Sequence, residues 1–174
     1  VPRLKRGMVA EHGSSPWADA GVIIPWNVYM HYGNRTLLNE CYEGMKEWGD
    51  WERKKEELGG PHLIKDGFHF ADWLALDNDA PGPFGATDPL FVASAYYYKN
   101  ASILSASARV LGNLEDERIY GDLAKEILSA IRITYYNEEG LCICDTQTGS
   151  AISIMFRLNP SEEARIREGA ALVA

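Results

Sequence analysis

Basic side chains are in short supply in this sequence. Its 17 lysines and arginines face 25 aspartates and glutamates, for a net charge of −8 over 174 residues. Nucleic-acid binding rests on clustered cations, so no nucleic-acid partner is expected. Only "RLKR" at residues 3–6 gathers positive charge, and it reads as a solvated strand or loop. Long apolar runs are missing as well. None reaches the roughly 18–20 residues that cross a bilayer, and the first residues lack a signal-peptide pattern, so no membrane association is expected. Cysteine is rare. Cys41, Cys142 and Cys144 cannot all pair, and Cys142 and Cys144, alternating across Ile143, are expected on one side of a short extended piece. With no histidine close to them in sequence, no metal site is expected. His12, His31, His62 and His69 show neither H-x-x-x-H nor HExxH spacing and read as loop or core histidines. There is no G-x-S-x-G elbow, P-loop or G-x-G-x-x-G, so no cofactor is expected. The chain does not begin with methionine, and is expected to be a piece of something longer.

What the chain does have is apolar and ordered in a repeat. Hydrophobic residues make up 46% and charged ones 24%, a balance that gives one globular domain rather than a disordered chain. "WADAGVIIPWNVYMHYG", from Trp17 to Gly33, opens with a carboxylate between tryptophans and then runs as a helix over residues 19–32, ended by Gly33. A second helix is expected over 36–58, where Leu38, Cys41, Tyr42, Met45 and Trp48 recur at helical spacing. The stretch from Gly59 to Asp88 is rich in glycine, proline and aspartate, but Phe68, Phe70, Trp73 and Phe84 predict order in it. A third helix starts at Pro89, capped by Thr87 or Asp88, and ends at Gly112. Asn113 caps a fourth that frays near Tyr136. A fifth covers 147–157, and Ser161 caps a sixth.

The first, third and fifth of these segments are apolar or small on almost every side; the second, fourth and sixth carry one charged face each. Helices that are hydrophobic all round are buried all round. Strict alternation of the two kinds predicts two concentric layers, an all-α architecture of the α/α toroid type with inner and outer helices. Short links at Gly33 and at Gly112 make successive helices antiparallel, so the three inner helices all begin at one end. The segments "SSPWAD", 59–88 and "CDTQTG" therefore converge there, carrying Trp17, Asp19, Asp66, Asp72, Trp73, Asp77, Asp79, Asp88 and Asp145. Carboxylates beside indoles suit a sugar: hydroxyls need directed acceptors, and the C–H face of a pyranose packs on an aromatic ring. Each residue has a plainer alternative. Asp19 is either a helix cap or a hydroxyl acceptor, Trp73 either packing or a pocket wall, and Trp26 and Trp48 sit in core stripes. The spacing singles out no pair of carboxylates for glycoside hydrolysis.

The run "WADAGVIIPWNVYMHYG" closely resembles the segment that follows the catalytic acid in bacterial α-L-rhamnosidases of glycoside hydrolase family 78. Further stretches are similar in order: "YEGMKEW" at 42–48, "DWLAL" at 72–76, "LFVASAYYYKNASILSASARVLG" at 90–112, "EDERIYGDLAKEI" at 115–127 and "TQTGSAISIMFRL" at 146–158. The resemblance covers nearly the whole chain. It implies part of an (α/α)6 barrel, about six of its helices, in a six-hairpin glycosidase that hydrolyses terminal α-L-rhamnose with inversion. Carried over, Asp19 is similar to an aspartate that hydrogen-bonds rhamnose hydroxyls, and Trp73 to an aromatic wall of the rhamnose subsite. Trp17 and Asp72 lie beside them in the same motifs, and Thr146 and Gln147 open an inner helix. The family's general acid lies in a motif ending "GWTGD" and its general base near "WERW". Neither occurs in its place here, so both catalytic groups are expected outside residues 1–174, a domain truncated at both ends and inactive alone. Where the family more usually has glycine before the Asp-Trp pair, this chain has Ala71. The expected partner is a rhamnose-containing saccharide or glycoside, and a half barrel is expected to self-associate through the open sides of its inner helices. Rival readings are another (α/α)6 glycosidase and a non-catalytic helical scaffold.

Overall fold

The computed structural model describes residues 13–59, 62–77 and 82–173. The basic stretch at 3–6, His12 and Asp79 lie outside the described residues. Six helices follow one another among the described residues: α1 (Ala20–Tyr32), α2 (Arg35–Gly59), α3 (Pro89–Leu111), α4 (Leu114–Tyr135), α5 (Gln147–Phe156) and α6 (Glu162–Leu172). Each boundary has a local cause. Gly33 adopts φ +65° and closes α1 by donating its N–H to the Tyr29 carbonyl. Asn34 Oδ1 accepts from Leu37 N at the start of α2. Asp88 caps α3 through Leu90 N, with Pro89 in the first turn where no N–H is missed. Asn113, Thr146 and Ser161 cap α4, α5 and α6 by accepting from the N–H three residues on.

The inner and outer helices sort as the alternation predicts. Helix α3 packs against α1 on one side and α5 on the other, with α2 and α4 over it; α2 also covers α1, and α6 covers α5. The core lies between the layers: Phe91, Tyr97, Leu104 and Val92 of α3 meet Leu38 and Met45 of α2 and Ile127 and Ile131 of α4. Each such side chain taken fully from water contributes about 2 kcal/mol. Of the three apolar helices, however, only α3 is buried on nearly every side. In α1 only Val22 and Pro25 are buried and Ile24 and Met30 are exposed; in α5 Met155 is exposed. The physical reason is position: α3 has an inner neighbour on both flanks, whereas α1 and α5 have one each among the described residues.

The segment 141–144 is not a strand. It makes a single antiparallel bridge between Cys142 and Tyr136 and then turns. The two thiols do share one side, where Cys142 and Cys144 hydrogen-bond each other and are not joined by a disulfide. This hairpin is held by Glu168 of α6, which is buried and accepts from Cys142 N at 2.9 Å and Ser150 Oγ at 2.6 Å. Among the described residues no helix is long and apolar enough to cross a membrane.

Candidate functional site

The N-terminal ends of α1, α3 and α5 are tied to one another by their lead-in segments. Ser14 Oγ accepts from Phe70 N at 2.8 Å, Ala71 N donates to the Ser15 carbonyl at 3.2 Å, and Ser15 N donates to His69 Nδ1 at 3.3 Å. These bonds join the approach to α1 to the loop before α3. On the other flank the hydroxyls of Thr87 and Thr146 lie 2.7 Å apart, joining that loop to the start of α5. The three segments therefore converge as the antiparallel reading requires.

Aromatic rings cover this end. Trp17 stacks on Phe70 with centroids 4.2 Å apart and 18° between planes, and meets the edge of Trp73 at 6.2 Å. Trp73 is half-buried and packs edge-on against Phe70 at 5.1 Å and Phe84 at 5.2 Å. Trp17 keeps 56% of its surface, so the cluster presents an open platform rather than a closed core. Asp72 faces inward: its Oδ2 accepts from Thr87 N at 3.1 Å, and a side chain at Gly85 would come within 2.5 Å of that oxygen. Thr146 is engaged as the cap of α5 and with Thr87, while Gln147 is exposed on the first turn of α5. Asp66, Asp77, Asp88 and Asp145 stay at the surface; Asp77 and Asp88 accept from Ala86 N and Leu90 N.

Asp19 is not a capping side chain. It makes no cap hydrogen bond and has no exposed surface. It turns instead into the junction of α1, α2 and α3, where Oδ1 accepts from Asn100 Nδ2 at 2.7 Å and Trp48 Nε1 at 2.9 Å. Its Oδ2 has no hydrogen-bond partner among the described residues. The same Asn100 nitrogen donates to both oxygens of Glu52, at 3.1 and 3.0 Å. Glu52 is 2% exposed. Burial, and then the charge of Asp19, push the Glu52 carboxyl well above the usual carboxylate range, against the hydrogen bond from Asn100. Burial also raises Asp19, against the bonds from Asn100, Trp48 and the Ser15 hydroxyl. Below this junction Glu56 accepts from the Tyr97 hydroxyl at 2.5 Å.

Sequence reasoning passed over Glu52, Glu56 and Asn100. The signal was there. Glu52 and Glu56 continue the stripe of Leu38, Tyr42, Met45 and Trp48 at intervals of three or four residues, and Asn100 falls between Tyr97 and Leu104 on the buried face of α3. Charged residues in a core register are paired or neutral.

The bacterial alpha-L-rhamnosidase six-hairpin glycosidase domain model matches residues 1–174, the whole chain. The chain belongs to this family. Among curated relatives, an alpha-L-rhamnosidase of Alteromonas sp. (strain LOR) is 29% identical over 160 residues, covering 89% of this chain and 17% of that protein. One from Formosa agariphila is 28% identical over 150 residues, covering 86% and 16%. Among solved structures, the native rhamnosidase of Aspergillus terreus superposes with TM-score 0.77 at 28% identity, over 92% of this chain and 19% of its own. The Streptomyces avermitilis alpha-L-rhamnosidase, solved with L-rhamnose, gives TM-score 0.73 at 27% identity, over 90% and 14%. The chain thus spans less than a fifth of each of these rhamnosidases. With six helices among the described residues, in alternating inner and outer layers, it adopts the α/α toroid architecture.

Proposed function

We propose that this chain is part of the catalytic (α/α)6 barrel of an inverting α-L-rhamnosidase, and that the mouth formed by α1, α3 and α5 is one wall of its rhamnose pocket. The convergence of three inner-helix N-termini under an open aromatic platform is the observation that carries this reading. Trp73 and Trp17 offer ring faces to the apolar side of a pyranose, and Gln147 offers an amide at the rim. Asp19 and Asp72 serve from beneath. Asp72 holds the loop at Thr87, and Asp19, which has no exposed surface, acts on the sugar through a water bridging Oδ2 to the mouth. Thr146 keeps the first turn of α5 in register with Thr87.

Inverting hydrolysis needs a general acid and a general base on opposite faces of the sugar. In this reading both glutamates come from elsewhere in the longer protein. The isolated chain should therefore show no turnover of an aryl α-L-rhamnoside while the full-length protein shows it, and robust turnover by the isolated chain would sink the assignment. In the full-length protein Trp73→Ala should weaken rhamnose binding about tenfold or more, since an aromatic face contributes about 1–2 kcal/mol. Rhamnose, and not glucose, should raise the melting temperature.

A further inference from the structure

The junction beneath the mouth has more acceptors than donors. Asp19 and Glu52 bring four carboxylate oxygens and Asn100 its carbonyl, and against these five acceptors stand the Asn100 amide, the Trp48 indole and the Ser15 hydroxyl, which also interacts with Asp19. Two buried acceptors, Asp19 Oδ2 and Asn100 Oδ1, are left with no bond among the described residues. An unmade bond at a buried polar atom is costly, and two like charges on one buried amide are costlier still.

No cation among the described residues relieves this. A narrow cleft of about 20 Å³ reaches Glu52 from the loop side, past Ser15, Lys55, Asp66 and His69. Lys55 lies over the Trp51 ring, 5.5 Å from its centroid, and makes no ion pair with Glu52. His69 accepts from Ser15 N at Nδ1, which fixes its hydrogen on Nε2, toward the Asp66 carbonyl at 3.2 Å. That is the neutral tautomer. From α3, Tyr97 sends its hydroxyl to Glu56 rather than to Glu52.

We propose that Asp19 and Glu52 share one proton across Asn100, held on Glu52, so that Glu52 and Asn100 are positioning residues that keep Asp19 charged and fixed under the mouth. The assignment of the proton follows from the donors. Asp19 receives two short bonds on a single oxygen, which favours its anion, whereas Glu52 receives one amide split over two oxygens at longer range. A proton on Glu52 adds the donor the cluster lacks. The positioning half of the proposal rests on the rhamnose-pocket reading; the shared proton does not.

The test uses the full-length protein with carbon-13-labelled glutamate. Infrared spectra at neutral pH should show a protonated-carboxylic-acid carbonyl band that moves with the glutamate label and is absent from Glu52→Gln. Lack of such a band in the wild type would overturn the proposal, with no variant needed, and so would its persistence in Glu52→Gln. For positioning, wild-type affinity for rhamnose should fall about tenfold as pH rises through the titration of the pair. Glu52→Gln should bind as the wild type does at neutral pH and lose that dependence, and Asn100→Ala should be about tenfold weaker throughout. A wild-type affinity that does not change with pH would overturn the positioning role. Absence of rhamnose binding altogether would overturn the pocket reading with it, while the infrared band would still decide the shared proton.

Discussion

At the scale of single residues, Ala71 carries a strain that glycine would avoid. Its φ is +49°, in the left-handed region, and its N–H is the one that bonds the Ser15 carbonyl. An L-residue there costs about 1–2 kcal/mol, part of which glycine returns as chain entropy in the unfolded state. Ala71→Gly should therefore stabilise the protein by about 0.5–1 kcal/mol, read as a higher urea midpoint with an unchanged slope. The buried acids make a second residue-scale prediction. Both Asp19 and Glu52 are raised above their ordinary values of 3.8 and 4.5. The folded state then holds protons that the unfolded chain gives up first. Stability contributed by these groups is fully present below their unfolded values, falls as pH rises, and levels off once the folded groups ionise. Each extra proton bound by the folded state gives a slope of about 1.4 kcal/mol per pH unit within that window. Melting temperature measured against pH should show this descending limb, and Glu52→Gln should flatten it.

At the scale of elements, the hairpin at 137–145 and helices α5 and α6 act as one unit because Glu168 holds all three. Glu168→Ala would leave the buried N–H of Cys142 and the hydroxyl of Ser150 without their acceptor, a loss of about 2–4 kcal/mol. Glu168→Gln should lose less, since its amide oxygen still accepts; equal losses in the two variants would show that packing, not hydrogen bonding, matters there. The helices themselves were legible in the sequence to within a residue or two, because caps and glycines mark their ends and the alternation of apolar and amphipathic segments marks their layers. The mouth was legible as a convergence of segments for the same reason. What sequence reasoning missed was the direction in which Asp19 points. A carboxylate at a helix start is read as a cap or as a ligand, and nothing local reveals that Trp48 and Asn100, 29 and 81 residues away, draw it inward. Those partners are set by tertiary packing, which no pattern within one helix encodes.

At the scale of the whole molecule, the open flanks of α1 and α5 decide behaviour in solution. Ile24 and Met30 on one, and Met155 on the other, leave apolar edges where an inner helix would find its neighbour. We expect the isolated chain to associate with itself through these edges, with an apparent mass in light scattering that rises with concentration. Ile24→Glu together with Met155→Glu should hold it monomeric, and a wild-type chain that is monomeric at all concentrations would show that the edges are not sticky.

The two layers have a further consequence for the field at the mouth. The positive ends of α1, α3 and α5 point to the same side, and the antiparallel outer helices bring their negative ends to it. The helix dipoles there are arranged concentrically, a positive centre inside a negative rim, so their long-range parts cancel. What remains at long range is the negative charge of Asp66, Asp77, Asp88 and Asp145, which repels anions and leaves an uncharged molecule unaffected. Under the rhamnose-pocket reading, such an opening would select by the direction of hydrogen bonds and the flatness of a ring face, the two properties by which one uncharged sugar differs from another.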